Sequence, residues 1–510
     1  MNEDTADRTL SRRVAALIGV VAVAAALAAG HLVAGLVGPN ASPYLAVGNA
    51  AIDLTPHPLK DFAIRTFGVY DKLVLLGGMA LTLLAAAIVA GLLSRRSPRP
   101  GQILAAVLGI LAVLAVLGRP DLGQLAILAP AASLLAGVGV FTWLHGRASA
   151  AESDSPSRRN FLFITGGVAA GAALVGAAGQ FLTRRVDVEA SRAGVGKLVA
   201  RTPAPAIPGG ADLAAKGTPT FITTNRDFYR IDTALTVPRL RAEDWRMKIH
   251  GMVDNELDLD FDDIRGRPLV EKTITMTCVS NEVGGPYIST ANFIGVPMRD
   301  LLREAGVKPG GDQLFSTSVD GWTTGTPIRD LMDEKRGALL AIGMNGEPLP
   351  LEHGFPVRVV VPGLYGYVSA TKWVVDMEVI KSGDKSFYWE DRGWAREAPI
   401  KTQSRIDVPR GFATVPAGKV TVAGIAWAQN VGIDKVEVRV DGGQWQQAAL
   451  AAEVNDQTWR MWSAEFDLGA GSHRAEVRAT DRSGQTQTDR RVPPIPDGAT
   501  GWHSSLFTVS

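Results

Sequence analysis

The stretch that decides the fold of the second half of the chain is MNGEPLPLEHGFPVRVVVPGLYGYVSATKW, residues Met344 to Trp373. Its apolar run VRVVVPG predicts a buried strand that ends at a Pro-Gly turn. Arg358 lies within this run, and His353 and Lys372 lie close to it in the sequence. Taken singly, such side chains are usually solvated surface groups. Grouped around one strand, they suit an anion, because a guanidinium binds phosphate with two hydrogen bonds and an ammonium acts as a point charge.

The chain contains a single cysteine, Cys278, near the end of the apolar, β-branched run TITMTCVSNEVGG, Thr273 to Gly285. Most free cysteines are small buried hydrophobic residues. Here, however, polar residues and a Gly-Gly turn follow the thiol, which places sulfur at a strand tip where a thiolate can bind a soft metal. A nucleophilic cysteine is the alternative, and it would need a base such as His353 brought close by the fold.

The overall composition excludes two broad classes of protein. The chain has 510 residues, of which 46% are apolar and 20% charged, and its net charge is +1. These values speak against disorder and against a nucleic-acid partner, which would usually require a basic surface. The first half is rich in Ala, Leu, Val and Gly, whereas the second has the mixture typical of soluble domains.

Five apolar stretches in the first half approach or reach the ~20 residues needed to cross a bilayer as a helix. They are Val14 to Val37, Leu73 to Leu93, Gln102 to Gly118, Leu122 to Leu144 and Phe161 to Leu182. We therefore predict an N-terminal, all-α transmembrane bundle of five helices over residues 1–185. Only His31 and His145 lie in or beside these spans, which argues against a transmembrane haem held by paired imidazoles.

Arginines that flank alternate ends of the spans predict the orientation of the bundle, since basic residues in short loops are retained in the cytoplasm. These arginines are Arg8, Arg12, Arg13, Arg95, Arg96, Arg99, Arg147, Arg158 and Arg159. With five spans, the second half of the chain is then extracytoplasmic and the protein is a multi-pass protein of the cell membrane. The segment SRRNFL, Ser157 to Leu162, is similar to a twin-arginine export signal, which typically accompanies proteins exported with a bound cofactor.

The second half is predicted to contain a linker and two domains. Residues 186–218 are rich in Ala, Gly and Pro, as in a tether. Residues 219–403 mix predicted strands, such as Trp245 to Val253, with helices, such as Met298 to Ala305, and indicate an α+β domain. Residues 404–510 show short strands at the spacing of an immunoglobulin-like β-sandwich that lacks a disulfide.

Several of these segments together resemble the sulfite oxidase family of molybdopterin-dependent oxidoreductases, in order, over most of Phe221 to Ser510. The resemblance implies a Mo-molybdopterin cofactor with Cys278 as the metal ligand, and it makes the C-terminal domain a dimerisation-type domain. The family's entry segment is matched by TTNRDFYRIDTALTVP, Thr223 to Pro238, followed by WRMKIHG, Trp245 to Gly251. The residues that the resemblance assigns to cofactor binding are Asn225, Phe228, Tyr229, Arg230, Thr277, Ser280, Asn281, His353, Arg358, Ser369 and Lys372. We expect one of Phe228 and Tyr229 to pack in the core instead.

The chain departs from the family where the substrate would bind. Sulfite-oxidising members carry arginines just after the ligand cysteine, whereas this chain has Glu282 and Val283. Arg246 matches another anion-binding position of the family and is alternatively an exposed strand residue. Asp320 either serves near the metal or caps the turn at Gly321.

The resemblance predicts a membrane-anchored oxidoreductase that transfers an oxygen atom to or from a small molecule such as sulfite. A cytochrome or a quinone would exchange the electrons, and a homodimer is plausible. Two alternatives stay open. One is a sulfoxide reductase of the methionine sulfoxide reductase type, and the other is a non-catalytic, membrane-anchored binding protein.

Overall fold

The computed structural model describes residues 9–56, 59, 62–63, 66–67, 70–119, 122–151, 155–184 and 187–510. Arg8, one of the arginines used for the orientation, lies outside these residues. The chain divides into two compact units. One comprises Met1–Asp187 with Thr233–Thr236, and the other comprises Val188–Asp232 with Val237–Ser510.

The first unit contains five described helices that are long and apolar enough to cross a membrane, as predicted. A shorter helix, Pro43–Leu54 (α2), was not predicted. The long helices are Arg12–Val37 (α1), Asp71–Leu93 (α3), Arg99–Leu117 (α4), Leu128–Ala151 (α5) and Ser155–Arg184 (α6).

Small residues bring the helices of this unit close together. A Cβ atom added at Gly19 of α1 would lie 2.0 Å from the carbonyl oxygen of Ala87 in α3, so the two backbones touch there. Such contacts are typical of helices that pack in a bilayer. Two imidazoles in the described part of the unit form hydrogen bonds with another part of the bundle. His31 contacts Gln180 at 3.2 Å, and His145 contacts the carbonyl oxygen of Ser94 at 2.7 Å.

The second unit begins with a segment that is packed rather than free. Val188–Val195 forms a helix (α7), and both of its terminal valines are buried in the main hydrophobic core of the unit. Thr202 then forms a β-bridge with Val270. The tether expected over residues 186–218 is therefore corrected by the structure, because apolar side chains at helical spacing anchor its first part to the core.

The region from Arg246 to Ile380 is built on two five-stranded sheets and is richer in strand than the predicted α+β mixture. The order of the first sheet is β2-β1-β10-β5-β6, and that of the second is β3-β4-β7-β8 with β9 paired to β7. The strands are Arg246–Gly251 (β1), Leu257–Asp260 (β2), Val270–Thr277 (β3), Ile288–Pro297 (β4), Gln313–Ser318 (β5), Thr323–Pro327 (β6), Leu339–Met344 (β7), Glu347–Pro348 (β8), Arg358–Val360 (β9) and Val374–Ile380 (β10).

Four short helices connect these strands. Only one of them, Met298–Ala305, reaches eight residues, and its buried Leu301 and Leu302 alternate with exposed charges as the sequence predicted. In chain order the helices are Phe261–Arg265 (α8), Met298–Ala305 (α9), Ile328–Met332 (α10) and Gly366–Ser369 (α11).

The C-terminal region contains two further sheets. Their orders are β11-β13-β17-β16 and β12-β19-β18-β14-β15. Buried side chains from both sheets, such as Val422 and Val438, belong to one hydrophobic cluster, so the sheets share a core. The strands are Gln403–Val408 (β11), Thr414–Val415 (β12), Gly418–Trp427 (β13), Ile433–Val440 (β14), Gln446–Gln447 (β15), Ala449–Leu450 (β16), Arg460–Leu468 (β17), Gly471–Asp481 (β18) and His503–Val509 (β19).

Candidate cofactor site

Cys278 is the first residue after β3 and opens the loop that leads to β4. Its backbone N–H donates to the carbonyl oxygen of Tyr287 at 3.0 Å, which closes the loop. The sulfur lies 2.9 Å from the hydroxyl oxygen of Ser280. Burial raises the pKa of the thiol, while hydrogen bonding to Ser280 and the positive charge of Lys372 act in the opposite direction. The thiol is half-buried, and the charge of Lys372, which is distant in the sequence, acts on it.

Two buried polar atoms beside the thiol have no hydrogen-bond partner among the described residues. They are the hydroxyl oxygen of Thr277 and the amide nitrogen Nδ2 of Asn281. The other amide atom of Asn281, Oδ1, accepts a hydrogen bond from the backbone N–H of Tyr287 at 2.8 Å. Buried polar groups are nearly always paired, so these two atoms point to a bound group at this position.

Arg358 begins β9 and is almost completely buried, with 4% of its surface exposed. Its Nη1 donates to the carbonyl oxygen of His353 at 3.0 Å. Burial lowers the pKa of Arg358 to about 10. Gly354, at φ +110°, brings the chain back so closely that an added Cβ would lie 3.0 Å from Cβ of Arg358 and 3.1 Å from that of Lys372. This glycine places the two cations side by side.

Lys372 is paired with Arg358 by a β-bridge and is also largely buried. Its Nζ donates to Asp232 at 3.0 Å and to the carbonyl oxygen of Glu352 at 3.1 Å. Burial lowers the pKa of Lys372 to about 8. Asp232 also accepts a hydrogen bond from Arg230 at 2.8 Å, so this carboxylate serves two cations. The group therefore carries surplus positive charge and suits an anion.

His353 is buried beside these cations and is neutral. Burial and the charge of Arg358 lower the pKa of the imidazole to about 4. Its Nε2 lies 3.0 Å from the carbonyl oxygen of Asn225, and since a carbonyl can only accept, Nε2 carries the proton. Nδ1 is then unprotonated, so His353 can donate to an anion only after it gains a second proton, which a nearby phosphate would favour.

The two aromatic residues of the entry segment divide their roles as expected. Phe228 is 4% exposed and packs against Phe293 and His353, with ring centroids 6.1 and 5.3 Å away. Tyr229 stacks on Phe228 at 5.4 Å. Burial raises the pKa of Tyr229, and the charges of Cys278 and Arg358 both act on it. Phe228 is thus a core residue, while the Tyr229 hydroxyl lies in the electrostatic field of the thiol and the guanidinium.

The structure places four other predicted residues in local roles. Asn225 contacts Asn345, whose Nδ2 donates to its Oδ1 at 2.9 Å. Ser369 is buried, and its hydroxyl lies 3.0 Å from the carbonyl oxygen of Tyr365. Asp320 accepts from the backbone N–H of Trp322 at 3.3 Å, as a turn cap would. Arg246 lies on the other sheet with 57% of its side chain exposed, 3.9 Å from Asp260. The contacts described for Arg246 do not join it to the group around Cys278.

Sequence reasoning missed two members of this group. Asp232 lies two residues after Arg230 in the entry segment. It was missed because Lys372, with which it pairs, is 140 positions away in the sequence. Tyr365 is 2% exposed, and the charge of Cys278 contributes to the raised pKa of its hydroxyl.

The site thus combines buried cations, a thiol on which their charge acts, and polar atoms without partners among the described residues. This combination is typical of a protein that binds an anionic organic group together with a soft metal. Residues 234–388 match the family model described as oxidoreductase molybdopterin binding domain. Mitochondrial sulfite oxidase of Macaca fascicularis is 32% identical over 329 residues, which cover 54% of this chain and 59% of that protein. Sulfite oxidase of Gallus gallus is 30% identical over 334 residues, covering 56% and 72%.

The solved structure of the sulfane dehydrogenase SoxCD from Paracoccus pantotrophus has the same fold, with a TM-score of 0.51 at 23% identity. That match covers 62% of this chain and 91% of the other. This chain therefore belongs to the sulfite oxidase family of molybdopterin-dependent oxidoreductases, and its cofactor is Mo-molybdopterin. It spans about three fifths of the length of the mammalian relatives that it matches.

The residues present fit this cofactor. Among the described residues, no group of three or more His, Cys, Asp or Glu side chains could hold a metal ion. A metal bound to Cys278 would gain further sulfur ligands from the dithiolene of a molybdopterin, which requires no second protein ligand. A Cβ added at Gly366 would meet the Tyr229 hydroxyl at 3.9 Å and the carbonyl oxygen of Thr277 at 4.0 Å, so this glycine borders the site.

We expect the Gly366→Ala variant to fold normally but to retain roughly tenfold less cofactor. The new methyl group meets only ordinary van der Waals distances in the protein alone, and alanine favours a helix start over glycine. The methyl group would instead occupy space needed by the pterin, since packed sites accommodate extra carbon atoms poorly. Molybdenum and pterin per chain measure the effect. Gly469→Ala, at a glycine with open space around it, is the control. Equal cofactor content in both variants would contradict the prediction.

Anion binding to the cofactor-free protein should weaken as the pH rises through about 8. The pKa of Lys372 is about 8 in the absence of an anion, and a bound phosphate raises it. Binding then takes up a proton above that pH, so affinity is full below it and falls as Lys372 loses its charge. Calorimetric titration with sulfate, whose charge is constant between pH 6.5 and 9.5, measures this. Lys372→Arg should remove the dependence, whereas a flat profile in the unsubstituted protein would refute the assignment.

Proposed function

We propose that this chain is a membrane-anchored molybdoenzyme that catalyses two-electron oxygen-atom transfer on a small substrate such as sulfite. Cys278 is the metal ligand, and Arg358, Lys372 and His353 hold the phosphate end of the cofactor. The observation that carries the proposal is the convergence of the thiol and the cations. Arg358 and Lys372 lie 80 and 94 positions after Cys278 in the chain and form one buried group. The charge of Lys372 acts on the thiol.

The bound cofactor supplies the redox chemistry, and the protein orients it. The hydroxyl of Ser280, 2.9 Å from the sulfur, can donate to the thiolate and stabilise it. The unpaired Nδ2 of Asn281 and the hydroxyl of Thr277 supply further polar contacts to the bound group. Tyr229, whose pKa is raised by burial, keeps its proton and can act as a hydrogen-bond donor at neutral pH.

The substrate is either an anion such as sulfite or a neutral sulfoxide. Similarity to sulfite oxidases favours the anion. The residues just after Cys278 favour the neutral molecule, because Glu282 is exposed there and carries a negative charge that repels sulfite. Purified enzyme should be assayed in both directions, with sulfite plus an electron acceptor and with methionine sulfoxide plus a reduced dye. Activity with the sulfoxide alone would assign the chain to the reductase type.

We infer that the catalytic unit is extracytoplasmic and anchored in the cell membrane by the helical unit. Five spans and the arginines at alternate loops support this orientation. The twin-arginine-like segment Ser157 to Leu162 agrees with it. Alkaline phosphatase fused after residue 185 should be active, since that enzyme requires the extracytoplasmic side. A fusion that is active only with a cytoplasmic reporter would reverse the orientation.

Electrons must be exchanged with a partner, for which we propose a cytochrome or a quinone. The helical unit contains an apolar cavity of about 580 Å³ between its helices, lined for example by Val23, Leu75 and Leu108. Such a volume and lining suit a lipophilic molecule.

We also propose that the two C-terminal sheets are an immunoglobulin-like sandwich that mediates a homodimer. Their shared core and strand spacing support this, and the mass of the purified protein in detergent tests it.

Molybdenum content distinguishes an enzyme from a non-catalytic binding protein. The full chain, with residues 157–162 intact, should be purified in detergent from a host that loads a related molybdoenzyme. We expect about one molybdenum per chain by elemental analysis, as a single ligand cysteine predicts. Absence of the metal under these conditions would leave a membrane-anchored binding protein with a vestigial site.

A further inference from the structure

The strand that leads to Cys278 forms several hydrogen bonds with the C-terminal region along its free edge. β3 is at the edge of its sheet, so one side of it has no neighbouring strand in that sheet. Loops between the C-terminal strands supply the partners instead. The N–H of Thr275 donates to the carbonyl oxygen of Gln457 at 3.1 Å, and its carbonyl oxygen accepts from Nε2 of Gln429 at 3.3 Å. The hydroxyl of Thr275 accepts from the N–H of Trp459 at 2.8 Å.

The loop after Cys278 is held by the same region at a second place. Arg405, on β11, is 10% exposed at its side chain, and its Nη1 donates to the carbonyl oxygen of Gly285 at 2.9 Å. Its Nε donates at the same time to Asp407 at 2.8 Å. The guanidinium therefore joins the loop to a largely buried carboxylate, and this needs the two separate donors of an arginine fork.

His503, the first residue of β19, lies against Gly284. A Cβ added at Gly284 would come within 2.2 Å of the imidazole ring, and Gly284 has φ +81°, so only glycine fits there without strain. The Nδ1 of His503 accepts from the N–H of Ile406 at 2.9 Å, which fixes the ring. Burial lowers the pKa of His503 to about 4, so the ring is neutral at physiological pH.

We propose that Arg405 and His503 are positioning residues that fix the sulfur of Cys278 by clamping the loop at Gly284 and Gly285. Two adjacent glycines stiffen this part of the loop little, so contacts from outside add to the hydrogen bonds that close the loop at Cys278 and Asn281. Groups that orient a metal ligand normally govern how well it holds the metal. The consequence for the metal rests on the proposed function, but the clamp itself concerns only the thiol and the loop. The C-terminal region is then part of the active site's support as well as a candidate dimer surface.

Alkylation of the thiol tests the clamp directly, since Cys278 is the only cysteine of the chain. The rate of reaction with iodoacetamide should be measured on the cofactor-free full chain in detergent. Arg405→Lys keeps the charge beside Asp407 but loses the second donor, so we expect roughly tenfold faster alkylation, as for loss of one charge-assisted hydrogen bond. Arg439→Lys is the matched control, because Arg439 pairs with Glu476 on the C-terminal sheets.

A second variant guards against misfolding of the first. His503→Asn can keep the acceptor for the N–H of Ile406 while removing the ring from Gly284, and it should also accelerate alkylation several-fold. Thermal melting checks that each variant is folded. In metal-loaded protein, both should alter the paramagnetic signal of molybdenum, whereas Arg439→Lys should not. Alkylation rates within about twofold of the unsubstituted protein in both folded variants would overturn the clamp. Absence of molybdenum with accelerated alkylation would overturn the proposed function and leave the clamp standing.

Discussion

The Cys278→Ser variant is expected to fold, to bind pterin weakly and to lose activity to the level of protein without molybdenum. A hydroxyl is a much poorer ligand for a soft, sulfur-rich metal than a thiolate. We expect a loss of at least about a thousandfold, which is only part of the roughly 10⁶-fold or larger acceleration that enzymes provide. Stability should change by about 1 kcal/mol or less, because the side chain is half-buried and its contact is the Ser280 hydroxyl.

The measurements are steady-state rate, molybdenum per chain and thermal melting on the same preparation. Ser280→Ala is the matched control, since it removes the neighbouring hydroxyl and leaves the sulfur in place. This control should lose activity no more than about tenfold, as expected for one hydrogen bond to a thiolate. A Cys278→Ser protein with undiminished activity would refute the role of Cys278 as metal ligand.

The second large effect is expected at Arg358. Replacing it by methionine should weaken cofactor retention at least about a hundredfold, since two charge-assisted hydrogen bonds to phosphate contribute about 1.5–3 kcal/mol each. The cofactor-free protein should nevertheless change little in stability, because relief of the buried charge offsets loss of the hydrogen bond to the carbonyl oxygen of His353. Burial lowers the pKa of Arg358 to about 10, which means that the folded protein disfavours this charge when no anion is present. A methionine of similar length removes that cost and can pack on Phe293, over whose ring the guanidinium lies at 5.8 Å.

Loss of cofactor without loss of stability distinguishes a binding residue from a structural one. Arg267→Met is the control, because Arg267 pairs with Glu304 and lies on a different part of the same unit. That variant should lower the melting temperature slightly and leave the pterin content unchanged. If Arg358→Met retained the cofactor, or if it lost the cofactor only by unfolding, the phosphate assignment would fail.

Features that depend on nearby residues were predictable from the sequence. Run length alone identified the five long helices, because a bilayer requires about 20 apolar residues in succession. Spacing identified the helix Met298–Ala305 to the residue, since its apolar positions repeat with the helical period. The grouping of Arg358 and Lys372 was predicted from their closeness to one strand, and a β-bridge joins the two residues in the structure.

Other features depend on where distant parts of the chain meet, and local patterns carry little information about that. The packing of Val188, Val195, Leu198 and Ala200 on the core turned the first part of an expected tether into a folded segment. The sequence did not show the surroundings of Asp320, Ser369 and Arg246, which the structure places in a turn, in a helix and on another sheet.

The sequence by itself determined the five long apolar helices, the family and the presence of a single thiol, because each rests on short segments with their own physical signature. Only the tertiary structure decided what surrounds that thiol. Arg405 and His503 lie 120 residues or more beyond the loop that they contact, and Gln457 lies farther from Thr275 than Arg405 does from Gly285. Their contacts arise from the order of strands in separate sheets, and strand order reflects the summed packing of a whole domain rather than any local pattern.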